Sequence, residues 1–175
     1  ISSMNRRMAQ LSTDRESFRS HWAEVQNYIA PWNGRGLSGD TSGEDTDGSK
    51  RLAGIYDSTG IQAAKVLASG MQSGLTSPAR PWFRLGFGQF DLGEDNEVKE
   101  WLWEVERRMR AVFQGSNVYN ALYHVYFELG AFGTGPVAIF ENPDYTIQCR
   151  PFTAGEYYLA TNAIGRVDTL VRKVW

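Results

Sequence analysis

Two histidines and one cysteine are the scarce side chains of this 175-residue sequence that could ligate a metal or act as nucleophile and base. His21 and His124 have no Cys, His or carboxylate at a recognised ligand spacing, so no metal site is assigned. His124 lies in a helical pattern beside Tyr123, Val125 and Tyr126, where an imidazole packs or hydrogen-bonds rather than serving as a general base. Cys149 and a distant histidine could form a nucleophile pair, but the cysteine falls on the apolar side of a strand pattern, which predicts an inert thiol. Gly70-Met71-Gln72-Ser73-Gly74 sets its serine off the centre of a nucleophile elbow and has no strand before it. Gly133-Thr134-Gly135 lacks the Lys-Ser/Thr ending and the strand-to-helix order of a phosphate loop. Glu104 and Glu106 project to different sides of one helix and make no acid–base pair. Asp40, Asp45 and Asp47 lack the alternation and the distal bidentate glutamate of a calcium loop. The expectation is a chain with no catalytic, cofactor-binding or metal-binding residues.

One cluster could bind rather than catalyse. Arg80, Trp82, Phe83 and Arg84 set cations beside aromatics, which suits a nucleic-acid strand held by stacking and phosphate contact. The same residues also read as an apolar anchor whose arginines lie along it or pair across a protein interface. An independent α+β nucleic-acid-binding module thus stays open beside an interaction protein.

The composition bounds both readings. With 42% apolar, 13% aromatic and 22% charged residues the chain can bury one sizeable core, so a single domain is expected. A formal charge of −2 excludes the global basic footprint of a dedicated nucleic-acid binder. A lone cysteine makes no internal disulfide and suits a reducing compartment. No apolar run approaches the ~20 residues that cross a bilayer, and the start, Ile1 to Arg7, has no signal-peptide core. Ile1 is not an initiator Met, and the chain stops inside a β-rich pattern at Arg172-Lys173-Val174-Trp175; both suggest a fragment of a larger subunit.

The elements that must position these residues follow from periodicity. Residues 1–12 read as a flexible lead-in, and Thr13-Asp14-Arg15-Glu16 as a capping box that starts a helix. Phe18, Trp22, Val25 and Ile29 form its apolar face, with Arg15 and Arg19 directed elsewhere, until Pro31 stops it. Residues 33–50 hold five glycines and one aliphatic anchor, Leu37, which predicts a mobile loop that a protease would enter first. A second helix runs from Ser58 or Thr59 to about Gly74, with small residues Ala63, Ala64, Ala68, Ser69 and Gly70 inviting close helix packing. Pro78 to Leu85 is extended. A third helix spans about Asn96 to Gln114, with Val98, Trp101, Leu102, Val105, Met109, Val112 and Phe113 on one stripe and Glu106 and Arg110 outside it. A fourth runs from Asn117 to just before Gly130. From Gly135 the period becomes two: Pro136–Glu141, Tyr145–Arg150, Glu156–Thr161 and Arg166–Val174 read as an antiparallel β-meander joined by Asn142-Pro143-Asp144 and Thr161 to Gly165. The predicted fold class is α+β, four amphipathic helices (13–130) followed by an antiparallel sheet (131–175).

Several of these segments recur in one order in a known family. Tyr56-Asp57-Ser58-Thr59-Gly60, the small-residue helix through Ala68-Ser69-Gly70, Pro78-Ala79-Arg80-Pro81-Trp82-Phe83-Arg84-Leu85, Ser116-Asn117-Val118-Tyr119, Phe132-Gly133-Thr134-Gly135 and Gly165 to Arg172 together resemble the portal, or head-to-tail connecting, proteins of short-tailed phages. The likeness runs from about Trp22 to Trp175. It implies a wing-like region of a structural subunit that forms a ring, a dodecamer in the family, at one capsid vertex. It further implies passage of double-stranded DNA through that ring, docking of terminase, tail adaptor and capsid or scaffold proteins, residence in the virion with assembly in the host cytoplasm, no membrane and no enzyme activity. The quoted residues are expected to serve packing or subunit contacts, and the helices nearest the DNA are expected outside this segment.

Overall fold

The computed structural model describes residues 2–33, 55–86 and 96–172. The loop expected over residues 33–50 therefore lies, apart from Asn33, outside the described residues. Among the described residues the chain forms four helices and then two antiparallel hairpins, the α+β class that the periodicity predicts.

Helix α1 spans Ser2–Tyr28, so the helix does not begin at the predicted Thr13 capping box and residues 2–12 are not an irregular lead-in. The Thr13 hydroxyl instead donates to the Ala9 carbonyl four residues back, at 3.1 Å, as a mid-helix threonine does. Tertiary contact is the reason: Met8 and Leu11 pack against Tyr158, Ala160 and Val171, so the first turns have a surface to cover. The amides of Ile29 and Ala30 both reach the Val25 carbonyl before Pro31 ends the helix.

Helix α2 spans Thr59–Leu75 and lies against α4, Val118–Phe132. Of its predicted small-residue face only Ala68 is fully buried, while Ala63, Ser69 and Gly70 are exposed. The close approach comes from the other helix: a Cβ on Gly130 would stand 2.9 Å from the Leu67 Cδ2. That contact carries α4 past its predicted end, to Phe132, and Gly133 in the left-handed region (φ 81°) closes it by donating to the Leu129 carbonyl. Trp22, Val25, Ala30, Ala68, Tyr126, Phe127, Phe132 and Ala154 meet in the main core.

Helix α3 spans Asn96–Gly115, close to its predicted bounds, and its apolar stripe is half-buried from Val98 to Phe113 with two departures. Trp101 is 59% exposed, whereas Glu106, placed outside the stripe by periodicity, is buried. Glu106 accepts from the Leu85 amide (3.4 Å) and pairs with Arg110 (3.6 Å), so the segment before α3 folds over a charged residue.

Strands β1 (Val137–Asn142) and β2 (Thr146–Pro151) pair with Ile139 opposite Cys149, and β3 (Tyr157–Thr161) pairs with β4 (Val167–Arg172) with Leu159 opposite Leu170. Both turns are built by asparagine: Asn142 Oδ1 accepts from the amides of Asp144 and Tyr145, and Asn162 Oδ1 from those of Ile164 and Arg166. The predicted single meander is instead two separate two-stranded sheets, because β2 and β3 do not pair. Pro151 has no N–H to donate, and residues 152–155 curl back, with the Phe152 amide on the Pro136 carbonyl and Gly155 at φ 100°. A lone hairpin is marginal in water, so each must lean on helices. The first meets α3 and α4, and the second meets α1.

Candidate interaction surface and the junctions that hold it

Three of the signature segments, at 56–60, 80–83 and 132–135, lie where elements meet. Asp57 Oδ1 accepts from the Thr59 amide (2.9 Å) and hydroxyl (2.7 Å), so Asp57 rather than Ser58 caps α2. Those bonds, the side-chain one first, hold the Asp57 carboxyl below the usual carboxylate range. Tyr56 beside it is 99% exposed, and Gly60 lies 3.7 Å, measured from a built Cβ, from Ile29 at the end of α1.

At the opposite end of α2, about 25 Å away for a helix of this length, Arg80 donates to the Ser73 and Gly74 carbonyls at 3.0 Å each. Trp82 donates its indole N–H to the Tyr119 hydroxyl (3.3 Å) and sits 4.8 Å from the Phe83 ring and 6.1 Å from Phe113. The aromatics that could have stacked on bases are thus packed on α3 and α4, while Arg80 and Arg84 are both exposed.

The Phe132 to Gly135 segment turns α4 into β1. Phe132 is buried, Thr134 and Tyr157 share a hydroxyl–hydroxyl bond at 2.6 Å, and a Cβ on Gly135 would come within 2.6 Å of the Val125 carbonyl. Only glycine fits there. Nearby, the Asn117 side-chain amide donates to the Cys149 carbonyl (2.7 Å) and accepts from its amide (2.8 Å). It pairs with β2 as another strand would. The segments at 56–60, 80–83 and 132–135 are therefore three separate supports and do not converge on one site.

Two residues that tie these supports together escaped the sequence reading. Glu128, 2% exposed, accepts from Asn33 Nδ2 (2.6 Å), the Thr153 hydroxyl (2.8 Å) and the Ala154 amide (3.0 Å), joining the end of α1, α4 and the link between hairpins. Burial pushes its carboxyl above the ordinary range, against the pull of those three donors. Arg15, which periodicity directs away from the core, donates to the carbonyls of Gly155 (3.2 Å) and Tyr157 (3.1 Å) and to the Tyr158 hydroxyl (3.3 Å). Its guanidinium lies 4.0 Å over the Tyr158 ring, and burial lowers its pKa. A charge inside the apolar run Tyr126-Phe127-Glu128-Leu129 was the one signal for Glu128; nothing local marked Arg15.

The residues considered for catalysis stay dispersed in purpose. Cys149 is buried against Val118 and Ala121, and burial pushes its thiol up, away from the reactive thiolate. His124 is exposed, with its ring edge-on to Tyr123. Ser73 is a helical residue of α2. Among the described residues no group of three His, Cys, Asp or Glu side chains could hold a metal ion, and no helix is long and apolar enough to cross a membrane.

What the surface offers is apolar contact area. Ile139 (66% exposed) and Phe140 (52%) project from β1, Ile164 and Val167 from the second hairpin, and Trp101 and Trp103 from α3, while no large side chain among the described residues is wholly buried. A chain with that balance carries surface suited to contact with other protein. The profile of the bacteriophage head to tail connecting protein family matches residues 2–175. The chain belongs to that family. As a connecting-protein chain it is 44% identical over 168 residues to the portal protein of Salmonella phage epsilon15, a match covering 96% of this chain and 30% of that one. It is 46% identical over 167 residues to the probable portal protein of Bordetella phage BPP-1, covering 95% of this chain and 29% of the relative. This connecting-protein sequence thus spans about 30% of the length of the curated relatives it matches.

Proposed function

We propose that this chain is a structural part of a portal subunit, a head-to-tail connector that forms a ring at one capsid vertex. The observation that carries the proposal is family membership over nearly the whole chain, with two relatives named as portal proteins. The exposed apolar residues of α3 and of both hairpins support it, because a subunit that meets copies of itself needs more apolar surface than its own core covers. In this role the ring, a dodecamer, passes double-stranded DNA during packaging and ejection, and docks terminase, tail adaptor and capsid or scaffold proteins. It acts in the virion, after assembly in the host cytoplasm. The role is mechanical, and ATP hydrolysis belongs to the motor that docks on it. Tyr56 to Gly60, Arg80, Trp82, Phe83 and Phe132 to Gly135 act in it as packing supports that set the angles between elements. Electron microscopy and light scattering of the full-length protein test the reading: closed rings of one size are expected, and a strictly monomeric product would sink it.

A further inference from the structure

Two two-stranded sheets have four outer edges, and the described residues treat them differently. On β2 the Asn117 side chain takes the outward amide and carbonyl of Cys149. On β3 Arg15 takes the Tyr157 carbonyl, and that of Gly155 just before the strand. The edge at β4 is broken by charge, with Asp168 and Arg172 in the strand, and by the register shift opposite Ala160 and Thr161. β1 has none of these devices. Its register with β2 is unbroken, it contains no proline or lysine, and its one charge, Glu141, stands next to its end.

The phase of the ladder decides which groups β1 presents. The Phe152 amide bonds the Pro136 carbonyl, so Ala138 with Arg150 and Phe140 with Gln148 are the pairs that exchange bonds inside the hairpin. The amides and carbonyls of Val137, Ile139 and Glu141 therefore point outward, as those of Cys149 do on β2, and meet no partner among the described residues. Ile139 shares a face of the sheet with its cross-strand partner Cys149, yet it is 66% exposed where Cys149 is 7%. The space beside β1 is open to backbone and side chain alike.

We infer that β1 receives an extended strand from the part of the same subunit that lies outside residues 1–175, which turns the first hairpin into a three-stranded sheet. The edge dictates the chemistry of its occupant: outward N–H and C=O groups at every second residue are matched by another extended backbone. A third strand also lifts the hairpin above the marginal stability of two. The source follows from what is already taken. Because the other edges of this region are occupied or broken, a second copy has among its described residues only its own β1 to offer. Pairing β1 with β1 is a two-fold contact that closes a dimer instead of building a head-to-tail ring. A bare apolar edge on the free subunit is an aggregation site, so its cover belongs to the subunit itself and is in place before assembly. The curated relatives have the length to supply it, since this chain matches only 30% and 29% of theirs.

Photocrosslinking of the full-length protein tests this. Subunits carrying Ile139→p-benzoylphenylalanine are prepared with light and with heavy nitrogen and mixed before assembly. The expected products are all light or all heavy and join position 139 to a peptide outside residues 1–175. Mixed products would place the strand in a second copy, and a product within residues 1–175 would assign the edge to this region; either result overturns the inference. Residue-resolved hydrogen exchange of the full-length wild type gives an independent reading. The amides of Val137, Ile139 and Glu141 should exchange at least about a hundredfold slower than an unprotected peptide. Exchange at the unprotected rate would show a bare edge and overturn the strand. Ile139→Pro sharpens the result, because proline at an outward amide leaves the hairpin's own ladder intact. It should release Val137 and Glu141 to fast exchange while Ile139→Ala leaves them protected, and equal protection in the two variants would mean that no strand holds the Ile139 amide. A protein that never forms rings would sink the ring and leave this strand standing.

Discussion

The two hairpins have the same local plan and are anchored by different physics. In the first, Val137–Pro151, only Cys149 is buried, and the outer residues Ile139 and Phe140 are exposed. Its hold on the helices is the two-point amide pairing of Asn117 with Cys149 and the packing of Ile147 and Cys149 against Phe113, Val118 and Ala121. In the second, Tyr157–Arg172, β3 buries Tyr158 and Ala160 against α1 and Tyr157 beside Thr134, and Arg15 binds two carbonyls and a hydroxyl there. One hairpin is clipped by its backbone at Cys149 and leaves Ile139 and Phe140 outward; the other is docked by its side chains. The lesson is that turn chemistry makes a hairpin, but what faces it decides how it is held and what it has left to offer a partner.

Glu128 stands between the two, so removing it should erase the distinction. Glu128→Ala removes the carboxylate that Asn33, Thr153 and the Ala154 amide bind and leaves the buried Ala154 amide unmatched, and a loss of about 3 kcal/mol is expected in urea unfolding. Hydrogen exchange should rise in both hairpins together. A change confined to one of them would mean that the link over residues 152–155 does not couple them.

Arg15→Met keeps the aliphatic stem and removes the donors to Gly155 and Tyr157. It should cost about 2 kcal/mol and expose 157–172 to proteolysis while 137–151 stays protected. Asn117→Ala should do the reverse at about 1–1.5 kcal/mol, with faster exchange of the Cys149 amide. Exchange of that amide unaltered would mean that the side-chain pairing holds nothing.

The smallest effect is a pH dependence at the shared anchor. Glu128 has its folded pKa raised by burial, so the folded state binds a proton more tightly than the unfolded chain. Its favourable contribution is complete below the unfolded carboxylate value, about 4.3, and is lost as pH rises through the raised folded value. The stability difference between wild type and Glu128→Gln should therefore shrink with rising pH across that window and stay flat above it. A difference that grew with pH would show that the three donors outweigh burial.

Much of the architecture was readable without coordinates. The bounds of α2 and α3, the strand ranges, the asparagine turns and the inert Cys149 are local matters of capping, period and turn chemistry, settled within a few residues of sequence. The family too was legible, since its segments recur in order along the chain. Tertiary structure decided the rest. It extended α1 back to Ser2 by giving Met8 and Leu11 the second hairpin to cover, and it buried Glu106 while leaving Trp101 outside. It divided the expected meander at Pro151, and it placed Glu128 and Arg15 at the crossings of elements more than 90 residues apart. Those outcomes depend on which surfaces meet across the fold, and periodicity along the chain carries no record of a partner so far away.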